Sequence, residues 1–160
     1  MNSSESGPED ENQGLQTEQQ EVWRALLAVA TRGLEQVDQQ LQRRSSMTLT
    51  DYEILLALSQ ADGLRLRMSE LAEQVYVSRS RLTYRVDRLA QVGFVVREEC
   101  EDDRRGLWAI LTATGQQTVL SATNGHHADL NQLIFDHIGD DEMPVVVSVL
   151  NKIVAKIDAN

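Results

Sequence analysis

Residues 64–97 carry seven arginines (Arg65, Arg67, Arg79, Arg81, Arg85, Arg88 and Arg97) against three acids, Glu70, Glu73 and Asp87. Elsewhere the balance reverses: residues 1–21 hold six acids and no base, and residues 106–160 hold six acids against Lys152 and Lys156. Acid at both ends around a basic middle is what a domain with one DNA-facing surface would show, in spite of a formal net charge of −10. Solvated arginine-rich helix faces would by themselves account for it equally well. Within the basic stretch, Ser78-Arg79-Ser80-Arg81-Leu82-Thr83-Tyr84-Arg85-Val86-Asp87-Arg88-Leu89 sorts into two faces at helical spacing. Leu82, Val86, Leu89 and Gly93 fall on one side and should meet a core. Ser80, Arg81, Tyr84, Asp87 and Arg88 fall opposite, with Arg79, Thr83 and Arg85 on the flanks. Arginine grips guanine or phosphate bidentately and hydroxyls reach either, so the second face suits duplex DNA. A salt-laced surface helix would also carry arginine and aspartate. This face, however, has no lysine or glutamate and a single acid, whereas solvated helices mix signs.

Other chemistry is thin. There is no glycine-rich phosphate loop, no nucleophile elbow and no His-Glu-x-x-His. The carboxylates cluster in the tail and loops, so no catalytic residue, no enzyme activity and no cofactor is expected. His126, His127, Asp129 and His137 are metal-ligand types, but adjacent histidines diverge by about 100° on a helix. A solvated helix surface is expected there rather than a metal site. Cys100 is the single cysteine, which excludes an internal disulfide and suits a reducing cytosol. Its neighbours Glu98, Glu99, Glu101 and Asp102 are acids, not the cations that activate a thiolate, so it reads as an ordinary thiol. No apolar run approaches the roughly 20 residues of a membrane span. The polar, acidic start from Met1 to Gly14 lacks the apolar middle of a secretory signal, and a cytoplasmic location without membrane partners is expected.

The elements that must position the arginine face follow from periodicity and capping. Residues 1–16 are polar and acidic, an expected disordered tail. Val22, Leu26, Val29, Gly33, Val37 and Leu41 then recur at three- and four-residue steps, predicting one long helix from Gln16 to about Ser45. Thr50 and Glu53 fit a capping box for a helix from Asp51 to Ala61, Ser69 caps a third, and Ser78 caps a fourth running to Gln91. Phe94 to Arg97 and Leu107 to Leu111 read as strands around a charged loop. Thr112 opens a helix to about Ile138 with a soft point at Gly125, and Asp140 opens the last. The order is α-α-α-α-β-β-α-α: mainly α with a small β-wing, a winged helix-turn-helix, in which the fourth helix projects into a major groove.

From Leu71-Ala72 through Val77 to Leu89, Gly93-Phe94-Val95, Arg97, Asp102-Asp103-Arg104-Arg105-Gly106 and Leu111-Thr112-Ala113-Thr114-Gly115, the chain resembles the MarR family of bacterial regulators. The resemblance covers the element order from about residue 16 onward, and its specific part is residues 68–115. It implies major-groove contact by Ser78, Arg79, Ser80, Arg81, Thr83, Tyr84, Arg85 and Arg88. It further implies minor-groove entry by Arg104, with Asp102 orienting its guanidinium and Arg105 beside it. Glu98, Glu99 and Glu101 depart from what a phosphate-facing wing would carry. Implied too is a homodimer whose dimerisation helices are residues 17–45 and 113–160, around a DNA-binding domain of residues 46–112. Such a dimer, a repressor, would read an inverted repeat in double-stranded DNA with half-sites roughly 34 Å apart. Relatives of this kind are released by a small, often phenolic effector between the dimer helices and the reading head. Trp23, Leu27, Tyr52, Leu55 and Leu56 are the residues for such a crevice, and a packed core accounts for them equally well. The competing function is a winged-helix protein-interaction module that no longer binds DNA.

Overall fold

Helix α1 (Thr17–Ala28) runs through a π-helical turn (Val29–Gly33) into α2 (Leu34–Ser45), where one uniform helix is expected from periodicity. The widened turn has a local cause. The Thr31 hydroxyl donates to the Leu27 carbonyl at 2.7 Å, competing with the helix ladder, and Gly33 adds backbone freedom. The computed structural model describes residues 14–100 and 103–159, of which 103–105 by backbone alone. Most of the expected tail (1–13) therefore lies outside the described residues. Two compact units are distinguished, one ending at Leu34 and the other beginning at Glu35.

In the second unit α2 is followed by α3 (Leu49–Gln60), β1 (Arg65–Arg67), α4 (Met68–Gln74), α5 (Arg79–Gln91), β2 (Val95–Cys100), β3 (Asp103–Leu111), α6 (Ala113–Leu133) and α7 (Met143–Asp158). The core is supplied by Val37 and Leu41 of α2, Tyr52, Ile54, Leu55 and Leu58 of α3, Leu71 of α4 and Leu82, Val86 and Leu89 of α5. Val95, Ala109 and Leu111 of the sheet and Val119 and Ala122 of α6 close it. Helix α7 contributes no buried residue. The expected architecture is observed, with one element more: β1 joins the hairpin as an edge strand in the antiparallel order β1-β3-β2.

Several boundaries differ from expectation for identifiable reasons. Helix α3 is capped by Thr48, not Thr50, with Asp51 as the reciprocal partner. The Leu49 amide donates to Asp38 on α2 at 2.6 Å, which anchors the start of α3 two residues early. Helix α4 begins at Met68 behind Arg67, whose amide donates to Glu70, so Ser69 is not its cap. The wing pairs as far as Cys100 opposite Asp103, converting most of the expected loop to strand. Glu98 and Glu99 are exposed there, and a ladder of backbone hydrogen bonds does not require apolar side chains. Helix α6 passes Gly125 unbroken and stops at Leu133, and α7 follows Glu142 rather than Asp140. Ser78 caps α5 and Thr112 caps α6, as their sequence contexts predict.

Candidate nucleic-acid interface

Helix α5 buries Leu82, Val86 and Leu89 and leaves Arg79, Ser80, Arg81, Thr83, Tyr84 and Arg88 exposed. Its amino end is fixed by Ser78, whose hydroxyl accepts from the Arg81 amide at 3.4 Å and lies 3.3 Å from the Ser80 hydroxyl. Thr83 donates back to the Arg79 carbonyl at 2.9 Å, a bond it can exchange for an outside acceptor without unfolding the helix. The exposed face thus presents three arginine forks, two hydroxyls and a phenol. Those groups match the donors that a major groove and its phosphates accept from.

Arg85 has a different surrounding. Its guanidinium donates to Asp51 of α3 at 3.5 Å, and its side chain is only 23% exposed. It ties the recognition helix to α3. Two residues on, Asp87 accepts from Arg97 of β2, joining the helix to the wing. Asp51 therefore both caps α3 and orients α5, a role the sequence pattern did not single out, because the partners lie 34 positions apart.

In the wing, Arg104 and Arg105 stand on β3 with undescribed side chains, and Asp102 lies outside the described residues. Sequence reasoning missed a second basic feature there. Arg65 and Arg67 alternate along β1 and both guanidiniums cover the Trp108 ring, at 4.7 Å and 5.2 Å from its centroid. Arg67 lies directly opposite Trp108 in the antiparallel register. The signal was present as Arg-x-Arg, but a three-residue strand needs its cross-strand partner to be identified.

Of the residues expected for an effector crevice, Tyr52 and Leu55 are fully enclosed in the core, and Leu56 is half-buried against it. Trp23 and Leu27 are exposed on α1. The histidines divide in the same way. His127 and His137 are exposed, but His126 and Asp129 are buried at 4% and 3% exposure, correcting the expectation of a solvated surface. The reason is their three-residue spacing, which puts both on the inward face of α6. There the His126 ring lies 4.5 Å from that of Tyr52, the Tyr52 hydroxyl bonds Thr123 at 3.3 Å, and Asp129 accepts from Arg44 at 2.9 Å. His126 Nδ1 and the second Asp129 oxygen have no partner among the described residues.

Burial pushes the His126 imidazole below its ordinary 6.5, with nearby His127 adding to the shift and Asp129 opposing it. The other charged group at this junction is Arg44, already engaged by Asp129. An unfolded histidine takes up its proton first as pH falls, so the stability supplied by neutral His126 is complete above about pH 6.5. It is lost as pH drops toward the lower folded value. Thermal midpoints should fall as pH drops below about 6.5, and His126→Gln should flatten that part of the profile. A variant as pH-sensitive as the parent in that window would show that His126 is not the titrating group.

No helix of the described residues is long and apolar enough to cross a membrane. A MarR family model matches residues 45–106, the span from the end of α2 into the wing. The fold superposes on the MarR regulator Sco3205 of Streptomyces coelicolor, solved in complex with DNA, with a TM-score of 0.85 and 36% identity over 90% of each chain. It superposes on AbsC of the same organism with a TM-score of 0.87 and 33% identity, over 93% of this chain and 100% of that one. The Bacillus subtilis transcriptional repressor YetL is 27% identical over 106 residues, 66% of this chain and 63% of YetL. The chain thus spans a little under two thirds of that relative's length. With a capped, arginine-faced α5, a three-stranded wing and relatives above 30% identity over nine tenths of their length, this chain belongs to the MarR family of winged helix-turn-helix transcriptional regulators.

Proposed function

We propose that the chain is a sequence-specific, double-stranded DNA-binding regulator, a repressor that acts as a homodimer on an inverted repeat. The observation carrying this reading is α5: its apolar side is spent on the core, while Arg79, Arg81 and Arg88 face solvent with hydroxyls between them. The DNA-bound state of Sco3205 supports extending the function from fold to ligand. One such helix covers only a few base pairs, so specificity requires two, presented by a two-fold pair. Trp23, Leu26 and Leu27 of α1 and Leu150, Ile153 and Val154 of α7 are exposed and supply apolar surface for a second copy. Release by a small effector belongs to the same reading. Because Tyr52 and Leu55 are enclosed in the protomer, a site including them has to open around its ligand.

Fluorescence anisotropy with duplexes from the DNA upstream of the chain's own gene tests the proposal. The affinity should fall steeply with salt, because each phosphate neutralised releases counterions. Arg81→Ala should weaken the preferred duplex by roughly 5- to 100-fold, the range of one bidentate base contact. Absence of binding to any duplex at low salt would leave the protein-interaction module as the better reading.

A further inference from the structure

Tyr76 occupies the turn between α4 and α5 with φ at +51°, in the left-handed region that residues other than glycine and asparagine mostly avoid. The Val77 amide bonds the Ala72 carbonyl at 3.3 Å, so the turn is closed and the conformation is held. The ring obtains no burial in return: Tyr76 is 83% exposed. Glycine would adopt this turn at lower cost, and a phenol facing water adds nothing to the folded protomer. Strain held in place by the surrounding structure, on a residue with no packing role, points to a contact made outside the protomer.

The position says with what. Tyr76 stands two residues before the Ser78 cap, at the amino end of the exposed arginine face, and borders a groove of about 840 Å³ with Ser69, Glu73, Arg79 and Asp158. Two of those groups are acids, so a further cation beside Arg79 would compete with it for them. A phenol is neutral and avoids that competition. It donates one hydrogen bond and offers an apolar edge to a sugar.

Resting on the DNA-binding reading above, we infer that Tyr76 is a backbone-contact residue whose hydroxyl donates to a phosphodiester oxygen beside the major groove. A neutral contact of this kind strengthens binding without releasing a counterion and without reading sequence. It is therefore distinguishable from the arginines around it.

The test compares the full-length protein with Tyr76→Phe, Tyr76→Gly and Arg79→Ala, titrated with a preferred and a scrambled duplex over a salt series. Tyr76→Phe should lose roughly 2- to 10-fold on both duplexes, the range of one neutral hydrogen bond, with the salt slope unchanged. Tyr76→Gly should lose at least as much while its thermal midpoint stays at or above that of the parent. Arg79→Ala should lower the slope by about 0.9. Parental affinity in both Tyr76 variants overturns the inference, as does a loss confined to the preferred duplex, which would make Tyr76 a base reader. Failure of the parent to bind either duplex instead removes the DNA reading itself.

Discussion

Gly115→Ala should lower the thermal midpoint by about 10 °C, the consequence of roughly 2–4 kcal/mol of overpacking in a chain of this size. A Cβ on Gly115 would lie 2.2 Å from the Phe94 carbonyl oxygen, 3.0 Å from its carbon and 2.8 Å from Leu111 Cδ1. The Phe94 backbone, which makes the nearest of these contacts, cannot yield easily. The Phe94 carbonyl accepts from the Thr112 amide at 3.0 Å and from the Thr112 hydroxyl at 3.2 Å. That same hydroxyl shares its single proton with the nearer Gly93 carbonyl at 2.7 Å and accepts from the Gly115 amide at 3.0 Å. Thr112 thus caps α6 and pins its first turn against the start of β2, so the helix approaches a backbone that is itself tied down. This is the physical content of Leu-Thr-x-x-Gly after the wing: a leucine to seal the core, a threonine to clamp two elements, and a residue without Cβ where they touch. Thermal melts of the variant measure it, and a midpoint within a degree or two of the parent would refute the close approach.

That motif shows what was legible in sequence. Wherever a local rule and its tertiary setting agreed, the residues declared themselves: Ser78 and Thr112 are caps in isolation and in the fold, and Leu82, Val86 and Leu89 mark the inward side of α5. Misreadings arose where a distant partner decided between local options. Thr48 and Thr50 both precede suitable acids, and Asp38 on α2 selects the first. Arg85 looks as available to DNA as Arg79, since both lie on the flanks of the exposed face, yet Asp51 of α3 draws it inward. His126 and Asp129 read as surface polar residues because burial of a pair becomes apparent only once Arg44 and Tyr52 arrive from α2 and α3. The left-handed turn at Tyr76 has no signal at all, since nothing in a tyrosine codes for positive φ.

On the proposed homodimer, the double substitution Leu150→Asp with Ile153→Asp should convert the protein to a monomer and reduce affinity for the preferred duplex by at least about 100-fold. Both side chains are exposed on α7, in company with Val147, Val154 and Ile157, and no residue of α7 is buried within the protomer. The change therefore removes no buried core residue from the folded unit, and its circular dichroism should match that of the parent. At a two-fold interface the cost is repeated: each copy would bury two carboxylates against an apolar face, and symmetry doubles the number. In the proposed pair, DNA affinity follows because the second recognition helix would bind at an effective concentration set by its tether to the first. A monomer forfeits that advantage while keeping every contact of its own α5. The residual binding of the variant should accordingly equal the parent's affinity for a single half-site. Light scattering gives the mass and anisotropy gives the affinity on the same sample. A variant that remains dimeric would place the interface elsewhere, and a monomer that binds the full operator as tightly as the parent would mean that one reading head suffices.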